Sequence, residues 1–182
     1  MEGTTKHTVK LFGATLSYPK LATPEIKNGR EVRSAVLLFD KSADLTQLRA
    51  ALEAYTKEFF GGKVPGGLKS PVKDGDEKAD EWGESFRNKW YFRASSGFPV
   101  LCVGADALNT PNDEIEDTFY AGCKVNVIVT PWGYKRDGNQ GVSLNLNGLQ
   151  FVADGDRLGG GNPAVGMFEP LEGSKPANNF GF

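Results

Sequence analysis

The sequence predicts a mainly β protein: a five-stranded, OB-like antiparallel barrel with one helix after the second strand. Two observations lead there, namely five or six segments rich in β-branched and aromatic residues and a single segment with helical periodicity. A wound α/β sheet needs several helices alternating with its strands, and that alternation is missing. A small closed barrel remains, and one helix with about five strands points to the OB-like form.

Taken in order, residues 8–18 (TVKLFGATLSY) and 32–40 (VRSAVLLFD) read as strands bounded by Pro and Gly. Between them PKLATPEIKNGRE, with two prolines and an Asn-Gly, reads as an exposed connection. The helix is predicted from about Ala43 to Phe60, with Ser42 or Asp40 as capping candidates and Gly61-Gly62 as its stop. Leu45, Leu48, Leu52, Tyr55 and Phe59 form its apolar stripe, which marks it as a packing helix. Residues 61–85 are loaded with Gly, Pro and charge and read as a long loop insertion, either a disordered ornament or the best candidate to fold over a binding surface. Strands follow at 89–95 and 98–103, then an acidic stretch, ADALNTPNDEIED, that reads as loop or one short turn of helix. Residues 118–132 and 142–152 flank GYKRDGNQG as a long hairpin. The division expected is therefore one domain over 1–158 and a Gly/Pro-rich C-terminal extension over 159–182.

With 182 residues the chain can bury a core without staples. One His and two Cys cannot furnish a four-ligand zinc site without carboxylates, and Cys102 and Cys123 lack metal-knuckle spacing. The only His is His7, no Gly-x-Ser-x-Gly elbow occurs, and Gly159-Gly160-Gly161 lacks the Lys-Ser/Thr of a phosphate loop. No catalysis, metal or cofactor is expected. The start lacks an apolar signal region and no run approaches a membrane span, so the protein is expected to stay in the cytoplasm of its cell. The net charge of −2 hides an uneven distribution. Residues 1–73 carry 12 basic and 7 acidic side chains, residues 74–117 carry 4 and 11, and the remainder is balanced. A basic surface for a polyanion can therefore coexist with acidic loops.

The strand pattern locates that surface. In KWYFRAS, alternation puts Trp90, Phe92 and Ala94 on one face and Lys89, Tyr91, Arg93 and Ser95 on the other. An apolar inner face with a basic, aromatic outer face suits single-strand binding, in which rings stack under bases and cations sit by phosphates. Tyr91 reads equally as an ordinary amphipathic surface residue, and Lys89, Arg93 and Lys124 equally as solvated charges. In the hairpin, Val125, Val127 and Val129 face the core, while Lys124 and Trp132 lie opposite; Trp132, Tyr134, Lys135 and Arg136 crowd the tip. Tyr120 and Lys10 are further candidates whose facing parity leaves open. A structural or protein-interaction barrel, docking a partner through the 132–136 tip, is the alternative from another class.

The runs Phe119-Tyr120-Ala121-Gly122-Cys123-Lys124-Val125-Asn126-Val127, Gly141 through Val152 and Asp154-Gly155-Asp156-Arg157-Leu158 resemble the closing segment of a bacteriophage single-stranded-DNA-binding family. Arg93-Ala94-Ser95 and Tyr18-Pro19 are similar too. The resemblance implies an OB fold with its helix after the second strand and sequence-tolerant binding of single-stranded DNA in phage replication, recombination or repair, without a cofactor. It places the protein in the infected bacterial host cell. Relatives of this kind commonly end in an acidic tail closing on an aromatic residue, which recruits phage replication proteins. Here EPLEGSKPANNFGF ends in Phe182 with only Glu169 and Glu172 nearby.

Overall fold

The computed structural model describes residues 6–136 and 138–158. Strands β1 (Val9–Lys27) and β2 (Arg30–Asp40) form a long antiparallel hairpin closed by Asn28 and Gly29, whose φ angles of 52° and 74° are the pair a tight two-residue turn demands. The connection expected over 19–31 is thus strand. Pro19 and Pro24 fall where the pairing register shifts, between Ser17 and Lys20 and between Lys20 and Glu25, so neither must donate to the ladder. Leu21, buried between them, ties this half of the strand to the core.

Helix α1 (Thr46–Phe59) begins later than its periodicity suggests. Neither Ser42 nor Asp40 caps it; Asp44 Oδ1 instead accepts a hydrogen bond from the Thr46 N–H at 3.0 Å, and Asp40 pairs with Lys89 across the strands. Leu48 is buried, with Leu45, Ala51 and Leu52 packed beside it on the barrel end.

Residues 61–85 hold more structure than their composition suggests. Strand β3 (Lys73–Asp74) pairs with strand β4 (Lys89–Ser96), and a 3-10 turn (Gly75–Glu77), helix α2 (Ala79–Trp82) and a second 3-10 turn (Glu84–Phe86) follow it. Gly75 is where this segment closes on itself: a Cβ there would stand 2.2 Å from the Phe86 carbonyl oxygen. Strand β5 (Leu101–Val103) is short, helix α3 (Ile115–Thr118) takes the place of the strand expected from 118, and β6 (Lys124–Arg136) and β7 (Asn139–Ala153) make the final hairpin. Phe119 and Cys123 enter the core between α3 and β6, which ends the helix and delays the strand.

Strands β1, β2, β4, β6 and β7 close a barrel of the OB type. The order β4-β2-β1-β6-β7 is sealed by parallel pairing of β4 with β7 at Ala94–Leu144 and Ser95–Asn145. The inner faces supply the core as alternation predicts: Val125, Val127 and Val129 of β6, Leu37 and Phe39 of β2, Phe92 and Ala94 of β4. Phe39 and Phe92 stack with ring centroids 5.7 Å apart. Trp90, expected inside with Phe92, is only half-buried, under the ammonium of Lys41 at 5.1 Å. Outside the barrel wall a second, smaller core joins Val36 and Leu38 of β2, Tyr91 of β4, and Ala79 and Phe86 of the 75–86 segment, with Leu158 against it. Among the described residues no helix is long and apolar enough to cross a membrane.

Candidate nucleic-acid interface

A groove of about 610 Å³ runs over the outer face of β1, β2 and β4 towards the β6–β7 hairpin. Its aromatic walls are Tyr18, Trp82, Tyr91 and Tyr134; its charged walls are Lys20, Lys69, Lys73 and Arg93 against the single acid Glu25. Each comes from a different device. Tyr18 and Lys20 stand at the irregular part of β1, Lys69 to Lys73 form the entry to β3, Trp82 ends α2, Arg93 and Tyr91 lie on the outward parity of β4, and Tyr134 lies on β6. Three of the four cations belong to the basic first block of the chain.

Arg93 is half in use: its guanidinium donates to Ser34 Oγ at 3.2 Å and approaches Glu25 at 3.5 Å. Lys20, Lys69 and Lys73 are exposed and make no ion pair among the described residues. Tyr91 faces outward as its parity predicts, but only 5% of it is exposed. Phe86 and Trp82 cover it edge-on at 5.3 and 5.7 Å, and burial raises its hydroxyl pKa. The expectation of an open stacking ring at Tyr91 is therefore corrected: the residue belongs to the second core, and the ring that meets solvent above it is Trp82, 38% exposed.

Tyr134 is half-buried and covers Gly141, where a Cβ would come within 2.5 Å of its hydroxyl. Trp132, two residues earlier on the same face, is 43% exposed with its ring centroid 5.8 Å from that of Tyr134. The two rings extend the aromatic wall along the hairpin. Lys135 points the other way, over Phe59 and Phe60 at the end of α1, 5.0 Å from each ring, while Arg136 stays exposed. The Gly133 N–H donates to Tyr55 Oη at 2.7 Å, so the hairpin arm is tied to the helix.

Of the expected contacts Tyr91, Arg93 and Tyr134 line the groove, Trp132, Lys135 and Arg136 lie beyond it on the hairpin, and four more lie elsewhere. Lys89 forms an ion pair with Asp40 and holds that carboxyl below its ordinary pKa. Lys124 donates to Thr15 Oγ1 at 2.6 Å on the β1–β6 side. Lys10 leans over Phe12 on the same half of β1. Tyr120 donates to Asp154 at 2.7 Å, which raises its own pKa, accepts from the Gly155 N–H at 3.0 Å and lies under Arg157. It tethers the segment after β7. The groove members absent from the sequence-based expectation are Tyr18, Trp82, Lys20, Lys69 and Lys73. All but Tyr18, the last residue of the strand read over 8–18, lie in stretches that read as connection or loop, so no period gave them a face; only the basic bias of residues 1–73 pointed that way.

A larger hollow of about 920 Å³ lies between α1 and residues 64–72. Leu45, Leu48, Leu52, Val64 and Leu68 line it with the cations Lys41, Arg49, Lys57 and Lys69 and the acids Asp44 and Glu53; its one aromatic ring is Trp90, and Lys41 already occupies that ring. The smaller groove brings four aromatic rings and four cations together against one acid, the combination that bases and phosphates both need. Among the described residues no group of three or more His, Cys, Asp or Glu side chains is placed to hold a metal ion.

Residues 7–179 match the family model described as Enterobacter phage Enc34, ssDNA-binding protein. Protein p50 of Acyrthosiphon pisum secondary endosymbiont phage 1 is 28% identical over 177 residues, covering 90% of this chain and 93% of its own. The fold is shared with the single-stranded DNA-binding protein from bacteriophage Enc34 in complex with ssDNA, at a TM-score of 0.75 and 21% identity, covering 85% of this chain and 91% of that one. It is shared more distantly with gp2.5, a single-stranded DNA binding protein encoded by bacteriophage T7, at a TM-score of 0.55 and 15% identity over 86% and 97% of the two chains.

Proposed function

We propose, from the premise that the chain belongs to the family of the Enterobacter phage Enc34 ssDNA-binding protein, that the groove bounded by Trp82, Tyr134 and Arg93 takes a single strand of DNA without regard to its sequence. The observation that carries this reading is the meeting in one groove of the Trp82 and Tyr134 rings with Arg93 and with Lys20, Lys69 and Lys73, which make no ion pair among the described residues. Bases lie against Trp82, Tyr134 and Trp132; phosphates face Lys20, Lys69, Lys73 and Arg93, with Arg136 at the hairpin end. Every base has a π-face, so stacking tolerates any sequence, and a duplex hides those faces, which supplies the preference for single strands. Sites of DNA replication, recombination and repair in an infected cell all expose such strands, and these are the processes the protein would serve. Recruitment of replication proteins through the C-terminal end is the remaining part of this reading; residues 159–182 lie outside the described residues.

Titration of the intrinsic tryptophan fluorescence with oligo-dT, a duplex of equal length and oligo-rU tests the proposal. Strong quenching by oligo-dT, weaker quenching by the duplex and no preference for the ribo-oligomer are expected. No complex with any oligonucleotide would overturn it and return the hairpin tip to the protein-docking alternative. A marked preference for oligo-rU would reassign the groove to RNA through its 2′-hydroxyl.

A further inference from the structure

Tyr18 is the one aromatic residue among the described residues with a left-handed backbone: its φ is 45°. The other three non-glycine residues of positive φ are Asn28, Asn88 and Ala107. Asparagine visits this region easily and a bulky side chain does not. Pro19 follows, and a residue before proline is driven still further towards extended conformations. The surroundings nevertheless enforce the geometry. On the N-terminal side, Leu16 exchanges backbone hydrogen bonds with Cys123 and Gly122 at 3.0 and 2.8 Å, and buried Ser17 pairs with Val36. On the C-terminal side, Lys20 pairs with Ser34 and Leu21 is buried. Two residues, Tyr18 and Pro19, thus stand opposite the single Ala35, and the extra residue is pushed out of the ladder.

The fold does not repay this strain with burial. Half of Tyr18 is exposed, and its ring makes one tilted contact, with Phe86 at 6.4 Å. Gly or Asn would occupy the position with less strain. Backbone strain of this kind persists at places where a side chain must be aimed, and the ring is aimed into the groove. We propose that Tyr18 is a stacking platform for a nucleobase, held ready by the bulge before any strand arrives. This rests on the single-strand reading of the groove and adds a residue and a reason for its geometry.

The test compares Tyr18→Gly, Tyr18→Asn and Tyr18→Phe in the full chain, by oligo-dT titration below the melting temperature and by thermal melting. Loss of the ring should weaken binding about 5- to 150-fold in both the Gly and Asn variants, while Tyr18→Phe stays near the parent. The melting temperature of the Gly and Asn variants should hold or rise, because the strain is relieved. An oligomer carrying 5-iodouracil should in addition photo-crosslink to the peptide containing Tyr18. If Tyr18→Gly binds as tightly as the parent, the assignment fails, whatever its melting temperature. If the parent chain itself binds no oligo-dT, the groove reading has failed instead.

Discussion

The ring of Phe86 meets the ring of Tyr91 edge to face, centroids 5.3 Å apart and planes at 84°. This one contact turns the outer wall of β4 from a bare ligand platform into a second core. Phe86 is fully buried, so Phe86→Ala should destabilise the fold by about 3–5 kcal/mol. Tyr91→Ala should likewise lower the melting temperature markedly, and Tyr91→Phe should change neither stability nor affinity by much. A Tyr91→Ala protein that melts with the parent but binds oligo-dT poorly would restore the ring to the ligand.

Trp132 is placed to give the opposite result. With 43% of it exposed beside Tyr134, Trp132→Ala should leave the melting temperature almost unchanged and weaken oligo-dT binding by about 1–3 kcal/mol. The fluorescence change on titration should shrink with it. An unchanged affinity would end the strand's path short of the hairpin.

Salt dependence counts the phosphates. The four groove cations and Arg136, each meeting one phosphate, predict a slope of log affinity against log salt of about −3.5, since each contact on a single strand contributes about −0.7. Lys73→Ala should remove about 0.7 from that slope, equally for every sequence tested, whereas Lys89→Ala should not, because Lys89 is already paired with Asp40. A flat response would reject the cationic wall.

The segment that covers Tyr91 is fastened by Lys41, whose Nζ lies 2.8 Å from Asp74 and 2.6 Å from Asp76. Hydrogen bonding to Lys41 holds both carboxyls below their ordinary value of 3.8 and raises the lysine. A carboxylate depressed in the folded state stabilises the fold above its unfolded pKa and loses that contribution as pH falls through the folded value. The melting temperatures of the parent and Asp76→Asn should therefore differ at neutral pH and converge well below pH 3.8. The gap should also narrow with added salt, since both partners are in contact with water. A gap that persists in acid would show that the carboxylate charge is not what fastens the segment.

Both cysteines are buried, and burial pushes each thiol up to about 11. The folded protein should not react with a thiol-disulfide reagent near about pH 8, and two thiols should appear on denaturation. Fast labelling of either in the native state would contradict the packing around Phe119 and Leu149.

Period and composition alone determined the barrel, the long helix after the second strand, the inward valines of β6 and the outward parity of Tyr91, Arg93 and Trp132; the four-residue helices α2 and α3 lay outside their reach. Alternation is a property of the backbone and acts wherever a strand is half-buried. The resemblance at the closing hairpin supplied the family. What lay beyond reach were facts set by residues distant in sequence. Parity says that Tyr91 faces outward but not that Phe86 lies on top of it; Lys89 and Lys124 were legible as cations but not as partners of Asp40 and Thr15. The walls of the groove come from the bulge at Tyr18, the entry to β3 and the end of α2, three irregular places without a period. Only the closure of the barrel brings them together, because cover, charge pairing and strain depend on which surfaces end up adjacent, and adjacency is decided by the tertiary fold.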